Sequence, residues 1–254
     1  MWSTVGTKRG AIGFLACVLL VGCAAPGAED ASESGSAVID EQQDGPPTDL
    51  PEAVQILVDN RAQDYCTGVL VSPTRVLTAA HCMAGATFLV RAPHAPLKAN
   101  GRPQESKARK AGSVTSSRNY NEEVWKEDAA TLDLETPIQL ETYATVRDVE
   151  ELGEQTLRAV AVGRSAENRT APLVKSKELT VRSGTPFGYT TGLVSQYYSS
   201  GGDSGGPLFL LDPETGKPTH VVIGIERQPD PPSEYFTRIT PAVKRLVAAP
   251  PRGN

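Results

Sequence analysis

The sequence predicts an all-β domain of antiparallel strands, arranged as barrels or a sandwich and followed by one short C-terminal helix. Short apolar runs recur from about Val54 onward between clusters of Gly, Pro, Asn and Ser, which is typical of strands separated by turns. No helical periodicity alternates with these runs, and such a succession favours antiparallel pairing. The predicted strands are 54–58, 68–71, 76–80, 88–90, 129–134, 157–162, 208–211 and 220–225.

The C-terminal segment has the pattern of an amphipathic helix. Thr240 can cap it, Pro241 suits its first turn, and Val243, Leu246 and Val247 lie on one face at i, i+3 and i+4 spacing. By contrast, the polar stretches 91–118 and 226–234 are rich in Pro or Lys, and we expect them to be exposed loops.

The first 22 residues have the features of a secretory signal. Lys8 and Arg9 precede an apolar run at 11–21, which is too short to span a bilayer. The run ends in LVGC, which resembles the lipobox of bacterial lipoproteins and implies lipidation of Cys23. The alternative is ordinary cleavage after a small residue such as Ala25. We therefore expect export to the cell envelope, through a lipid anchor or as a secreted protein.

Residues 23–50 are expected to be an acidic, flexible tether or pro-segment. They carry seven acidic side chains and no Lys or Arg, and they contain few large apolar groups. Residues 51–254 hold 23 basic and 23 acidic residues, so the expected folded domain is neutral. Nothing in this pattern indicates a nucleic-acid partner, a metal ion or a cofactor, and we expect a monomer.

Two short motifs carry the chemistry. The first is CTGVLVSPTRVLTAAHC, in which His81 precedes Cys82, and the second is GGDSGGP around Ser204. Cys66 and Cys82 are one possible disulfide pair in an exported protein. Closing this loop of about 17 residues contributes roughly 3 kcal/mol on a chain-entropy model, and it would hold the backbone beside His81.

Together the two motifs resemble those of the chymotrypsin-like serine proteases. The resemblance implies a triad of His81, Asp128 and Ser204, because DAATLDL at 128–134 fits the strand that this family's acid begins. Asp133 is the alternative acid, but the period of two along a strand places it on the other face.

The same resemblance implies two six-stranded antiparallel barrels, at about 51–145 and 150–254, with the site between them. The amides of Gly202 and Ser204 would then form an oxyanion hole. Asp203 would pair with a new α-amino group, made by cleavage near Ala37, Val38 or Ile39.

Three features depart from the family pattern. No cysteine follows Cys82, Tyr198 stands where trypsin-like pockets carry an aspartate, and residues 227–229 read RQP where the family has SWG. The sequence therefore predicts a serine endopeptidase acting on protein or peptide substrates, without support for a Lys or Arg preference. The alternatives are a catalytically impaired binding or regulatory module on the same fold, and a surface lipoprotein with no site.

Overall fold

The described residues form fourteen strands and one α-helix. The computed structural model describes residues 49–59, 65–114, 127–149, 152, 155–164, 173–199 and 201–251. The strands are β1 Ala53–Val58, β2 Tyr65–Ser72, β3 Arg75–Thr78, β4 Phe88–Ala92, β5 Gln104–Val114, β6 Ala129–Leu134, β7 Thr145–Val146, β8 Leu157–Arg164, β9 Leu173–Lys175, β10 Leu179–Ser183, β11 Gly192–Gln196, β12 Pro207–Leu211, β13 Pro218–Asp230 and β14 Ser233–Arg238; the helix is α1 Pro241–Ala248.

The first six strands close into an antiparallel barrel. Their order around the barrel is β1-β2-β3-β6-β5-β4, and β1 closes it by pairing with both β2 and β4. All six residues of β6 are buried, as are all six of β1. Both strands are mostly apolar, with Gln55 in β1 and Thr131 and Asp133 in β6 as the polar exceptions, and such short apolar runs made both visible in the sequence.

A second barrel follows in the chain. Its strands run β8-β12-β13-β14-β11-β10, and the antiparallel pairing of β10 with β8 closes the ring. The short strand β9 extends β8, and β7 pairs in parallel with β13. The predicted architecture of two six-stranded antiparallel barrels is confirmed.

The two stretches expected to be loops contain strands instead. Within 91–118 lies β5, whose inward side chains include Gln104, Ser106 and Ala108 rather than large apolar groups. Its pattern therefore lacks the apolar alternation that identifies a strand. Residues 226–234 continue β13 and begin β14, and main-chain pairing holds this hairpin together regardless of its polar side chains.

The C-terminal helix is confirmed with the expected cap. The Thr240 hydroxyl accepts a hydrogen bond from the Val243 amide at 3.3 Å, and Val243 is fully buried. The helix packs against β5 and β6. Among the described residues, no helix has the length and hydropathy needed to cross a bilayer. The predicted signal, Cys23 and nearly all of the predicted tether lie outside the described residues.

Candidate active site

Strand pairing in the first barrel brings His81 and Asp128 together. Strands β3 and β6 run antiparallel, with Thr78 opposite Ala130. The end of one strand therefore meets the beginning of the other. His81 follows β3 by three residues and Asp128 directly precedes β6, so the chain returns to the histidine 47 positions further along the sequence.

The Asp128 carboxylate binds His81 at two points. Its Oδ1 accepts from the His81 main-chain N–H at 2.9 Å, and its Oδ2 lies 2.6 Å from the ring Nδ1. The Asp128 N–H in turn donates to the Thr237 hydroxyl at 3.1 Å. The His81 side chain is 36% exposed and that of Asp128 only 2%, so the imidazole reaches the surface from a buried acid.

The balance of interactions keeps Asp128 ionised. Burial alone would raise its pKa. The hydrogen bonds and charge of His81, with a smaller contribution from the Arg227 charge, outweigh burial and lower the pKa of Asp128 below its ordinary value. A carboxylate in this state can orient an imidazole and stabilise its cationic form.

Thr67 of β2 holds the loop that carries Ser204. Its N–H donates to the Ser204 carbonyl at 2.8 Å, and its hydroxyl donates to the Gly202 carbonyl at 2.9 Å. The second-barrel loop is thereby fastened to the strand next to β3. These contacts place the Ser204 main chain beside the segment that carries His81.

A disulfide joins Cys66 to Cys82 at this same point, with Cα atoms 6.1 Å apart. The Cys82 Sγ lies 3.6 Å from the Ser204 carbonyl oxygen, and a ring nitrogen of His81 lies within 4.8 Å of both sulfurs. The disulfide thus sits between the histidine and the nucleophile loop. Because both sulfurs are bonded to each other, they are not available as metal ligands in the oxidised protein.

Two glycines of GGDSGGP have a demonstrable steric role. A Cβ on Gly205 would lie 2.1 Å from the Thr78 hydroxyl, and a Cβ on Gly206 would lie 2.4 Å from the Val162 carbonyl. Gly205 also has φ 83°, and Gly202 has φ 105°, a conformation that favours glycine. The glycines therefore allow the loop to touch the backbones of both barrels.

The turn around Ser204 fixes the direction of one predicted oxyanion donor. The Gly206 N–H donates to the Asp203 carbonyl at 2.7 Å. In a trans peptide, the C=O and the following N–H point in opposite directions. The Ser204 N–H therefore points out of the turn.

The side chain of Asp203 is buried and packs on Gly163, where a Cβ would lie 2.4 Å from Oδ1. Residues 37–39, its predicted partners, lie outside the described residues.

Tyr198, the predicted pocket residue, lies over Phe236 with ring centroids 6.1 Å apart. Burial raises the pKa of Tyr198 well above its ordinary value, and the charges of Glu226, Glu234 and Asp203 raise it further. The position that lacks the expected aspartate thus lies near other acids, of which Glu226 and Glu234 were not identified in the sequence.

Glu226 and Glu234 form a buried pair of carboxyl groups behind the nucleophile loop. The pKa of Glu226 is well above its ordinary value, because of burial and then the charges of Glu234 and Asp203. The pKa of Glu234 is also raised, mainly by burial, although Ser199 donates its amide to this carboxylate at 3.2 Å. The Ser199 hydroxyl is close enough to lower both pKa values but makes no hydrogen bond of good geometry. Within the described part of the chain, one oxygen of each carboxyl also lacks a hydrogen-bond partner.

Asp133, the alternative acid, is occupied elsewhere. Its Oδ1 accepts from the Arg75 Nη2 at 2.6 Å and from the Arg75 Nε at 3.0 Å, and both side chains are buried. Arg75 also donates to carbonyl oxygens at the end of α1. Asp133 therefore belongs to a structural ion pair on the far side of β6.

Two further residues contact the acid and a third supports one of them, and none of the three was assigned a role at Asp128 from the sequence. Thr237 accepts the Asp128 amide, Tyr189 shares a 3.0 Å hydrogen bond with Thr237, and the Arg227 Nε lies 3.8 Å from the Asp128 Oδ2. All three come from the second barrel or the loop before β11. No local motif identifies them, because their proximity to Asp128 arises from the packing of one barrel against the other.

Comparison with known proteins identifies the fold and the family of the chain. The trypsin family model matches residues 39–244. An inactivated protease paralogue of the scabies mite, S-D1, is similar in structure, with a TM-score of 0.59 and 17% identity over 84% of this chain and 98% of the mite protein. Human heparin binding protein is similar with a TM-score of 0.58 and 17% identity over 83% of this chain and 97% of that protein. No curated protein sequence matches the chain. At this level of identity the two structures establish the fold, and the family match over most of the sequence shows that the chain belongs to the trypsin family.

Proposed function

We propose that the protein is an exported serine endopeptidase that hydrolyses peptide bonds through His81, Asp128 and Ser204. The observation that carries the proposal is the pair of contacts between Asp128 and His81, at 2.6 and 2.9 Å, beside the loop that presents Ser204. An aspartate that holds both the ring and the main chain of one histidine fixes its tautomer and its orientation.

In this mechanism His81 takes the proton from the Ser204 hydroxyl as the oxygen attacks the substrate carbonyl. The His81 imidazolium is stabilised by Asp128 and returns the proton to the leaving amine. The amides of Gly202 and Ser204 would stabilise the oxyanion, and each such donor contributes about 10²–10³ in rate in related enzymes. Water then hydrolyses the acyl-enzyme. His81 takes a proton from the attacking water and gives it to the Ser204 oxygen as the acyl group leaves.

A second candidate function is a binding or regulatory module without turnover. The two similar structures support this candidate, because one is an inactivated protease paralogue and the other a heparin binding protein. The buried Glu226–Glu234 pair and the tyrosine at the pocket position are consistent with an altered substrate site.

Covalent labelling by a fluorophosphonate probe distinguishes the two. We expect labelling of the wild-type protein, none of Ser204→Ala, and a large decrease in His81→Ala. Ser183→Ala is the matched control, because Ser183 ends β10 and its side chain hydrogen-bonds to Thr185, and it should label like the wild type. The assay is run on the full chain and on protein cleaved near Val38.

Failure to label has a defined meaning. A folded wild-type protein that never labels, before or after cleavage, contradicts the peptidase and supports the binding module. Labelling that persists in Ser204→Ala contradicts the assignment of Ser204 as the nucleophile.

We also propose that Cys23 carries a lipid anchor and that cleavage near Ala37, Val38 or Ile39 both activates the domain and releases it. The acidic composition of residues 24–50 supports an exposed segment that a second protease can reach. Intact mass of the purified protein and sequencing of its N-terminus test this. A fully active, unlipidated chain that begins before residue 37 contradicts both parts.

A further inference from the structure

Arg227 lies at an irregularity of β13 next to the site. Pairing of β13 with β14 shifts register between Glu226 and Gln228, so Arg227 is the extra residue of a β-bulge. A bulge re-aims the side chain that it carries and is common next to active sites. Glu226 is buried on the side that faces the second barrel, whereas Arg227 extends towards Asp128 of the first barrel.

The Arg227 guanidinium occupies a defined position beside the acid. Its Nε lies 3.8 Å from the Asp128 Oδ2, the same oxygen that lies 2.6 Å from the His81 Nδ1. Its centre lies 5.6 Å from the ring centroid of Tyr189, within the range of a cation–π contact. The Arg227 side chain is only 16% exposed, so solvent screens its charge weakly.

Tyr189 connects these groups into a closed set of contacts. It is buried, and its hydroxyl shares a hydrogen bond with the Thr237 hydroxyl, which accepts the Asp128 N–H. The ring that supports Arg227 is therefore anchored to the backbone of the acid that Arg227 faces. The set therefore links the position of the guanidinium to that of the carboxylate.

We propose that Arg227 is a positioning residue that shares the Asp128 carboxylate with His81 and keeps the imidazole in its neutral, basic form at lower pH. Two cations that face one carboxylate oxygen repel each other, so a fixed arginine opposes the gain of a proton by His81. This inference rests on the proposed function, in which neutral His81 is the base.

Among the described residues, the titratable groups that face Asp128 and Tyr189 from the packed elements are His81, Glu127, Arg227 and, through its ring, Tyr235. Of these four, Arg227 is the permanent cation. An ionised Glu127 would favour the protonated imidazole, and a neutral tyrosine carries no charge that could oppose it.

The test is the pH dependence of fluorophosphonate labelling in Arg227→Gln. We expect the acid limb of the profile of labelling rate against pH to move to higher pH by about one unit. Well below the limb, the labelling rate should then be about tenfold slower than that of the wild type, and on the plateau it should change little. Arg227→Lys should restore most of the wild-type profile. Arg182→Gln is the matched control, since Arg182 also lies over an aromatic ring, that of Phe187, but away from Asp128.

A second readout does not depend on turnover. Protonation of the His81 ring, followed by NMR in the same variants, should also move to higher pH in Arg227→Gln. Unchanged ring protonation in that variant overturns the inference. A wild-type protein that does not label, but whose ring protonation shifts on substitution, contradicts the peptidase and leaves the role of Arg227 standing. If Arg227→Gln does not fold, Arg227→Ser carries the same test with the same expected result.

Discussion

The two barrels bury their carboxylates in opposite ways. In the first barrel, buried Asp133 pairs with Arg75, and Asp128 at its rim faces His81 and Arg227. In the second barrel, buried Glu226 and Glu234 face each other, and each has an oxygen without a partner. In the first arrangement a basic side chain compensates the charge of each carboxylate. In the second arrangement the pKa of both acids is raised, mainly by burial.

The comparison distinguishes buried acids that stabilise the fold from buried acids that lower its stability. When a substitution removes one member of a buried pair of carboxylate and cation, the folded protein loses much stability, because the other charge remains buried alone. When two carboxylates are buried side by side, neutralising one of them is expected to stabilise the folded protein. The costly pair lies directly behind Ser204, since the Gly205 amide donates to the Glu226 carbonyl and the Glu226 amide donates to the Gly206 carbonyl, both at 2.8 Å.

The largest expected effect is that of Asp128→Asn on turnover. The amide cannot hold the reactive tautomer of His81, so we expect a loss of about 10⁴, a figure that belongs to the serine-protease template itself rather than to this chain. The labelling rate at neutral pH measures it, with thermal unfolding as the check on folding. A loss of less than tenfold would show that Asp128 is not the acid of the triad.

Asp133→Asn should be the most destabilising of the carboxylate substitutions. It leaves the buried Arg75 without its counter-charge, and the free energy of unfolding should fall by about 3 kcal/mol or more. Denaturant unfolding measures the change. The double variant Arg75→Met with Asp133→Leu removes both charges and should recover most of the loss. Equal destabilisation of the single and double variants would contradict a specific cost of the unpaired charge.

Glu226→Gln should stabilise the protein at neutral and alkaline pH. Because the pKa of Glu226 is raised in the folded state, the folded protein keeps a proton that the unfolded chain loses above about pH 4.5. The contribution of Glu226 to stability is therefore fully present below that pH and declines as pH rises towards the raised pKa. Neutralising the group removes the decline.

The expected gain from Glu226→Gln is about 1–2 kcal/mol at pH 8, where each kcal/mol corresponds to a rise in Tm of about 2–4 °C for a domain of this size. Melting curves between pH 5 and 9 measure it, and the slope of Tm against pH should flatten. A variant that melts lower than the wild type at pH 8 would show that the Glu226 carboxylate makes a stabilising contact.

Glu105→Gln should have the smallest effect. Glu105 accepts from Arg91 at 3.2 Å across two strands, but both side chains are more than 40% exposed. Water and salt screen such a pair, so the loss should be about 0.5 kcal/mol or less. Denaturant unfolding beside Asp133→Asn gives the comparison. A loss as large as that of Asp133→Asn would mean that burial does not decide what these ion pairs contribute.

Local pattern revealed much of the fold and part of the site. Strands β1 and β6 were visible because most of their residues are apolar and turn residues flank them, and the helix because its cap and its face lie within one short segment. The His81 and Ser204 motifs stood out because a tight loop requires glycines in fixed positions. Strand β5 was missed, since small and polar side chains face inward along it.

By itself the sequence determined the antiparallel character of the chain, its terminal helix, the disulfide and the residues that could form a triad, because each depends on neighbours within a few positions or on a short motif. Only the tertiary structure decided that Asp128 faces His81 while Asp133 faces Arg75, and that Arg227, Glu226 and Glu234 surround the site. The physical reason is that barrel closure and a single β-bulge bring together side chains from distant strands, and no local pattern along the chain encodes which charges will then be buried side by side.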